Sequence, residues 1–293
     1  MSTLNMKACN QPKIHTNCIS SDYLGLSKRF LVDPKDTSWD VKHFSYTPFE
    51  YNNPVYFSAT PPPWADPVDP NLIDWDHKTR TIYGKFKFTP EGRPVNPIGR
   101  TGVTGRGMLG KWGPNTAADP LFTRFKIDES GNTVMINGTP VLQFVAVERM
   151  DGGDGVGRSS ALPGGMVENG DLISVTAARE FTEEALGGLE CEEKKIIIKS
   201  LEDLIHNSGY IVYGDTELGG YVDDRRNTDN SWMVTKCYHV HDKDNSIFNN
   251  FKLQGGDDAK RAFWLDYHPS DVNFKLYATH ADWVRQAYIN LTQ

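Results

Sequence analysis

No stretch of this 293-residue chain is apolar for long enough to cross a membrane as a helix, which takes about 20 residues. The start, MSTLNMKACNQPK, has neither the apolar core of a secretory signal nor an Arg-rich amphipathic pattern. Cysteine is scarce: Cys9, Cys18, Cys191 and Cys237 are the four, none in CxxC spacing, and they read as free thiols of a reducing compartment. An intracellular, cytoplasmic address without membrane insertion is the expectation. Basic residues are outnumbered, 31 Lys and Arg against 38 Asp and Glu, and the net charge of −7 argues against nucleic acid as a partner. Internal repeats and low-complexity tracts are missing as well. What remains is ordinary globular composition, 38% hydrophobic and 24% charged, in a length that suits one large or two modest domains.

One stretch stands apart from that background. Gly164–Gly188 runs GGMVENGDLISVTAAREFTEEALGG, a glycine turn, a short loop, and then a helical pattern that ends in carboxylates. At about 100° per residue, Glu180, Glu183 and Glu184 share one side of the helix, while Ala177, Ala178, Phe181 and Ala185 form an apolar stripe opposite. Three crowded carboxylates repel one another unless a cation sits among them. Hard oxygen donors suit Mg²⁺ or Mn²⁺, usually shared with a substrate phosphate. Gly164 and Gly165 let the backbone approach a ligand, so a carbonyl such as that of Gly165 can complete a metal shell. Arg179 stands four residues before Glu183, the less favourable order for helix stability, and reads as orienting that glutamate. Asn169 or Asp171 is the expected helix cap.

The spacing is more specific than the composition. Gly165, five residues, Asp171, seven residues and then Arg179-Glu180-Phe181-x-Glu183-Glu184 resembles the box of the Nudix hydrolases. Three positions depart from it. Asp171 replaces the usual first Glu, which keeps the charge on a shorter arm. Leu186 stands where Gly is usual and Gly187 where an apolar residue is usual. Both lie past the carboxylates and bear on helix termination.

Two further stretches narrow the resemblance. Gly99–Pro120, GRTGVTGRGMLGKWGPNTAADP, interleaves glycines with Arg100, Arg106 and Lys111, a composition that suits either an anion-binding loop or a structural turn. Tyr221–Trp232, YVDDRRNTDNSW, is a polar loop that feeds the apolar strand Met233–Val240. Both stretches are similar to segments of the Nudix subfamily that hydrolyses ADP-ribose. The Nudix homology domain that ends ADP-ribose-gated melastatin-type cation channels carries a segment similar to the first of them. Arg225 departs from that pattern, where proline is usual.

The remaining elements can be read from periodicity. The prolines of residues 46–75 forbid a regular helix or a central strand, so this segment should wrap along a neighbouring surface through its Tyr and Trp side chains. Thr81–Phe88 reads as a short strand before a turn at Pro90-Glu91-Gly92. Leu142–Glu148 reads as a core strand, Glu190–His206 as a helix, Tyr210–Tyr213 and Ala262–Leu265 as strands. Leu276–His280 opens a C-terminal helix carrying Trp283, Val284 and Tyr288.

The resemblance implies an α/β fold, the Nudix α/β/α sandwich with a mixed sheet, over residues 120–293. An N-terminal cap region, residues 1–119, would close one side of the cleft. It implies hydrolysis of ADP-ribose to AMP and ribose 5-phosphate, with Mg²⁺ or Mn²⁺ held by Gly165, Glu180, Glu183 and Glu184. Catalytic roles fall to Glu180 and Glu183 and to an additional acid, Asp257 or Asp258, from the loop GGDDAK. Thr123, Asp224, Arg226, Tyr277, Thr279 and His280 match positions that border the ligand. The alternative is a sensing domain of a tetrameric cation channel, with or without retained catalysis, for which the rest of that channel would be the partner.

Overall fold

The computed structural model describes residues 17–19, 22–77, 85–149, 160–167, 171–187, 191–207, 211–213, 220–248, 252–256 and 259–293. They fall into two compact units. One takes its described residues from 117–213 and 236–293, the other from 17–116 and 220–235, so no single cut in the sequence separates them. No described helix is long and apolar enough to cross a membrane.

In chain order the strands before the carboxylate helix are β1 (Asp22–Tyr23), β2 (Ser27–Lys28), β3 (Phe49–Asn52), β4 (Val103–Gly107), β5 (Gly113–Phe125), β6 (Met135–Ile136), β7 (Thr139–Pro140), β8 (Leu142–Arg149), β9 (Ser160–Ala161) and β10 (Gly165–Met166). There follow α1 (Ile173–Ala185), α2 (Cys191–Asn207), β11 (Ile211–Tyr213), β12 (Ser231–Asp242), β13 (Ala259–Tyr267) and α3 (His280–Thr292). The main sheet has the order β11-β12-β5-β8-β13, with β10 against β5 and β9 against β8. β8 pairs antiparallel with both β5 and β13. β5 and β12 run parallel, because Asn115 bonds to Ser231 and Thr123 to His239 at the same offset of 116 residues. The sheet is mixed, as expected.

In the first unit both faces of that sheet are covered, and β8 shows why. Its side chains alternate, and both sets are apolar. Val145 and Val147 join Phe122, Phe181, Leu201 and Ile205 in one core, beneath α1 and α2. Phe144 and Ala146 join Leu121, Trp283, Val284 and Ala287 in the other, beneath α3. Helices on either side of a mixed sheet make this unit the expected α/β/α sandwich. The apolar stripe of α1 is fully committed: Ala177, Ala178, Phe181 and Ala185 are all at 0% exposure. Phe181 meets Phe122 edge-on, with ring centroids 4.5 Å apart, and burying such a ring contributes about 2–3 kcal/mol.

The second unit is built differently. Among its described residues, the strand pairs that lie wholly within it are β1 with β2 and, in parallel, β3 with β4. Three single turns recur with one grammar, an Asp or Asn whose side chain caps the turn and a proline directly after it: Asp33-Pro34, Asn53-Pro54 and Asp69-Pro70. Three buried arginines hold these irregular segments. Arg29 donates to the carbonyls of Thr101, Arg225 and Asn227. Arg100 donates to those of Asp36, Ser38 and Val41, and Arg106 to those of Tyr56, Asp66 and Gly110. Chain without strand or helix leaves its carbonyls to be satisfied one by one, and a guanidinium with five donors can satisfy three. Aromatic rings pack around these cations, Tyr46 5.4 Å from Arg100 and Tyr56 5.5 Å from Arg106, tyrosines of the proline-rich segment gripping as expected, with Phe57 and Trp112 added around Arg106.

Of the two readings open for the Gly99–Pro120 stretch, the structure favours the structural one. Arg100 and Arg106 are structural, and the glycines around them serve the backbone. Gly102, at φ +80, lies against the Phe30 carbonyl, where a side chain would collide. The strand expected over Thr81–Phe88 is partly outside the described residues; what is described is a bridge between Phe88 and Pro94 around the predicted turn. Cys18 and Cys237 are buried free thiols.

Candidate active site at the glycine turn

Helix α1 begins later than the sequence indicates. Leu172 occupies the cap position with no side-chain bond, and its carbonyl receives the Thr176 N–H at 3.1 Å. Asp171 lies one residue too early for that role, and Asn169 is outside the described residues. At the far end the helix stops at Ala185, where the chain turns to bridge Leu186 with Gln254. The Gly187 N–H donates to the Gln254 carbonyl at 2.9 Å. The two departures after the carboxylates thus dock the helix end on the loop before β13, as a change in termination should.

The three glutamates of α1 are held in three different ways. Glu184 is buried, 8% exposed, and accepts from the Gly164 N–H at 3.0 Å. Burial pushes its carboxyl up to about 7, the Gly164 bond opposes this, and the charges of Glu180 and Asp119 add to the rise. Glu180 lies against the α-carbon of Gly165, so close that a methyl group there would strike its carboxylate. Arg179 forks across two partners, reaching Glu180 Oε1 and Glu183 Oε2 at 2.8 Å each. The expected orienting role of Arg179 toward Glu183 is what the geometry has, with Glu180 added. Among the described residues no three His, Cys, Asp or Glu side chains converge into a ready metal cage. The donors that do lie together at the turn are Glu180, Glu184 and the backbone of Gly164 and Gly165.

Sequence reasoning missed the other wall of this site. Asp119, on β5, is buried beside Gly164, with Oδ1 3.7 Å from His280 Nε2. An acid set between Ala118 and Leu121 on an apolar strand was the available signal. Arg149, at the end of β8, lies 4.8 Å over the Tyr277 ring and lowers the Glu184 carboxyl by its charge. Of the residues singled out near the C-terminus, His280 is buried and begins α3. Tyr277 donates its N–H to the Ser160 carbonyl at 2.9 Å. Thr279 has a buried hydroxyl with no hydrogen-bond partner.

Other predicted site residues are placed elsewhere in their units. Thr123 is fully buried, its hydroxyl 2.8 Å from both His239 Nε2 and His241 Nδ1. Burial lowers those imidazoles to about 3 and about 4, so both are neutral near pH 7. In the second unit Arg226 forks onto Asp224 through Nε and Nη2, at 2.8 and 2.7 Å. Asp224 is buried, and the desolvation that would raise its carboxyl is outweighed by Arg226, which holds it below the usual range. Asp257 and Asp258 are outside the described residues. Their neighbour Gly256 packs on the Glu183 carbonyl, where a side chain would collide, so the loop begins against the end of α1.

Comparison with known proteins gives the chain its family. The family model described as "NUDT9-like, N-terminal domain" matches residues 32–113. The chain is 40% identical over 283 residues to the mitochondrial ADP-ribose pyrophosphatase of Rattus norvegicus, covering 92% of this chain and 77% of that protein. It is 37% identical over 283 residues to a Caenorhabditis elegans protein described as a nudix hydrolase, covering 92% and 95%. It is also 39% identical over 281 residues to a Nematostella vectensis protein, "Transient receptor potential cation channel subfamily M member-like 2". The match covers 91% of this chain and only 17% of that protein. The chain belongs to the Nudix hydrolases and, within them, to the family of the mitochondrial ADP-ribose pyrophosphatase. Hydrolases of this kind depend on a divalent metal.

Proposed function

We propose that this chain hydrolyses ADP-ribose to AMP and ribose 5-phosphate, with Mg²⁺ as its ion. The observation that carries the reading is the pairing of Glu180 and Glu184 with the Gly164–Gly165 turn, in a chain 40% identical to an ADP-ribose pyrophosphatase.

The residues fit a divalent ion. Because residue 165 has no side chain, the Glu180 carboxylate lies directly against the backbone of the turn. Every donor there is a hard oxygen, and two carboxylates without a full cage suit Mg²⁺, which keeps places for water and substrate phosphate. Glu180, Glu184 and the Gly165 carbonyl would hold it, with Glu183 assisting through Arg179. Bound there, the ion neutralises diphosphate charge and makes a water more acidic.

The chain's own groups do the rest. Water adds to one phosphorus, the bridging P–O bond breaks, and the water's proton passes to Asp257, Asp258 or a glutamate of α1. In the second unit the Asp224–Arg226 fork carries the chemistry that the resemblance assigns to ADP-ribose recognition, a guanidinium suited to phosphate and a carboxylate suited to a ribose hydroxyl. Tyr277, Thr279 and His280 border the substrate, and the unpartnered Thr279 hydroxyl supplies a hydrogen bond.

Incubation of the purified chain with ADP-ribose and Mg²⁺, followed by chromatography, is expected to give AMP and ribose 5-phosphate in equal amounts. Excess EDTA is expected to stop the reaction. ADP-ribose left intact with Mg²⁺ or Mn²⁺ present would refute the substrate assignment.

A further inference from the structure

The loop between β13 and α3 carries a second constellation of side chains, which uses none of the residues assigned to ADP-ribose hydrolysis. We propose that Ser270 is a nucleophile, activated by His268 and steadied through Thr139. It takes up one acyl or phosphonyl group from a donor with a good leaving group.

The direction of the hydrogen bonds follows from their partners. His268 is buried, 8% exposed, and its ring has a partner at each nitrogen. Nδ1 receives the Ser270 N–H at 3.2 Å, and the Ser270 hydroxyl oxygen lies 2.7 Å from the same atom. Nε2 lies 2.7 Å from Thr139 Oγ1. The Thr139 hydroxyl gives its proton to the Ile136 carbonyl at 2.9 Å, so its oxygen accepts from the ring and Nε2 carries the ring proton. The two ends of the imidazole lead to one tautomer independently. With Nδ1 bare, an oxygen 2.7 Å away places its proton between them. The protons therefore run one way, from Ser270 to His268, from His268 to Thr139, and from Thr139 to the Ile136 carbonyl.

A hydroxyl within hydrogen-bond reach of a base, with the base oriented by a third group, is the arrangement that activates a nucleophile. Its members come from separate places in the fold: Thr139 from β7, His268 from the residue after β13, and Ser270 from the loop. The ring is backed edge-on by Tyr288, with centroids 6.5 Å apart, and Tyr288 donates its hydroxyl to the Pro140 carbonyl at 3.0 Å. The turn is closed by its own backbone, the Asp271 N–H to the His268 carbonyl at 3.0 Å and the Val272 N–H to that of Ser270 at 3.1 Å. Ser270 is exposed while its base is buried, so a reagent reaches the hydroxyl and water is kept from most of the imidazole.

The reaction balances with these groups alone. Ser270 Oγ bonds to the phosphorus or carbonyl carbon of the donor, and the bond to the leaving group breaks with its electron pair. The serine proton passes to His268 Nδ1, and the Nε2–H of the resulting imidazolium is met by Thr139. A positioned general base is worth about 100- to 10,000-fold over a serine without one. The N–H groups nearest the hydroxyl are already donated, that of Ser270 to Nδ1 and that of Asp271 to a carbonyl. Neither can steady an oxyanion, so the reaction ends at one adduct and does not turn over.

The test is labelling of the full chain with an alkyl fluorophosphonate, in which fluoride leaves, followed by mass spectrometry of its peptides. One phosphonyl group per chain is expected at Ser270, formed at least about 100-fold faster than at any other serine. Ser270→Ala is expected to abolish that label. His268→Gln is expected to slow labelling by about 100-fold and Thr139→Val by about 10-fold, with circular dichroism confirming each fold. Thr139→Val keeps the shape of its side chain and decides the matter if the buried His268→Gln does not fold. A wild-type chain that stays unlabelled overturns the proposal. So does label spread evenly over several serines, or a folded Thr139→Val variant labelled at the wild-type rate.

Discussion

Replacing Glu184 with glutamine is expected to lower ADP-ribose turnover roughly 100- to 1,000-fold and, at the same time, to stabilise the fold. The two effects have one cause. Glu184 is a buried carboxyl pushed up to about 7 from an ordinary 4.5, chiefly by loss of solvent. Between those values the folded chain holds a proton that the unfolded chain has released, so stability falls as pH rises through that window. At pH 8 without metal the charged form costs roughly 3 kcal/mol. Glutamine has the same shape and keeps an oxygen for the Gly164 N–H, 3.0 Å from the present one. It relieves the cost and removes the charge that would bind a divalent ion. Glu183, already bonded to Arg179 at 2.8 Å, is expected to show the smaller loss on the same change. Initial rates and urea midpoints at pH 8 check both halves. A Glu184→Gln variant that is less stable than wild type, or as active, would contradict this placement of the charge.

The second large effect lies in the other unit. Arg106→Met is expected to cost about 3–5 kcal/mol of stability. Arg106 is fully buried, with Nη1 donating to the Asp66 and Gly110 carbonyls at 2.7 and 2.8 Å and Nη2 to that of Tyr56 at 3.3 Å. Methionine fills much of the volume but takes the donors from three carbonyls, the buried one of Gly110 and the part-buried ones of Asp66 and Tyr56, at a penalty of up to about 1–3 kcal/mol each before relaxation. Lysine has the charge but not the planar fork, so Arg106→Lys should recover only part of the loss. Urea unfolding followed by tryptophan fluorescence measures this directly, because Trp112 lies 5.6 Å from the guanidinium. A midpoint equal to that of wild type would mean that the carbonyls find other partners.

These residues also show how much the sequence discloses. Helix α1 was legible because its apolar stripe and its carboxylates follow the helical period, which is local information. The strand β8 was legible as a core strand from its short apolar run, which is local too. Arg100 and Arg106 were not: an arginine between glycines has the same sequence signature whether it faces a phosphate or a set of carbonyls, and only the folded N-terminal chain supplies those carbonyls. Asp119 was hidden in another way. Its partners His280 and Gly164 are far away in sequence, and no periodic pattern links an acid on β5 to the first residue of α3. The helix cap failed for a local reason, since Leu172 takes the cap position that its neighbour Asp171 seemed suited to fill.

The measurement that bears most directly on the metal-assisted reading is Mn²⁺ binding by electron paramagnetic resonance, comparing wild type with the Glu180→Gln, Glu184→Gln double variant. The wild-type chain is expected to bind the ion with AMP present, and the double variant to leave it free in solution while keeping its fold. Equal binding by the two would place the metal elsewhere and contradict the role given to the glycine turn and α1.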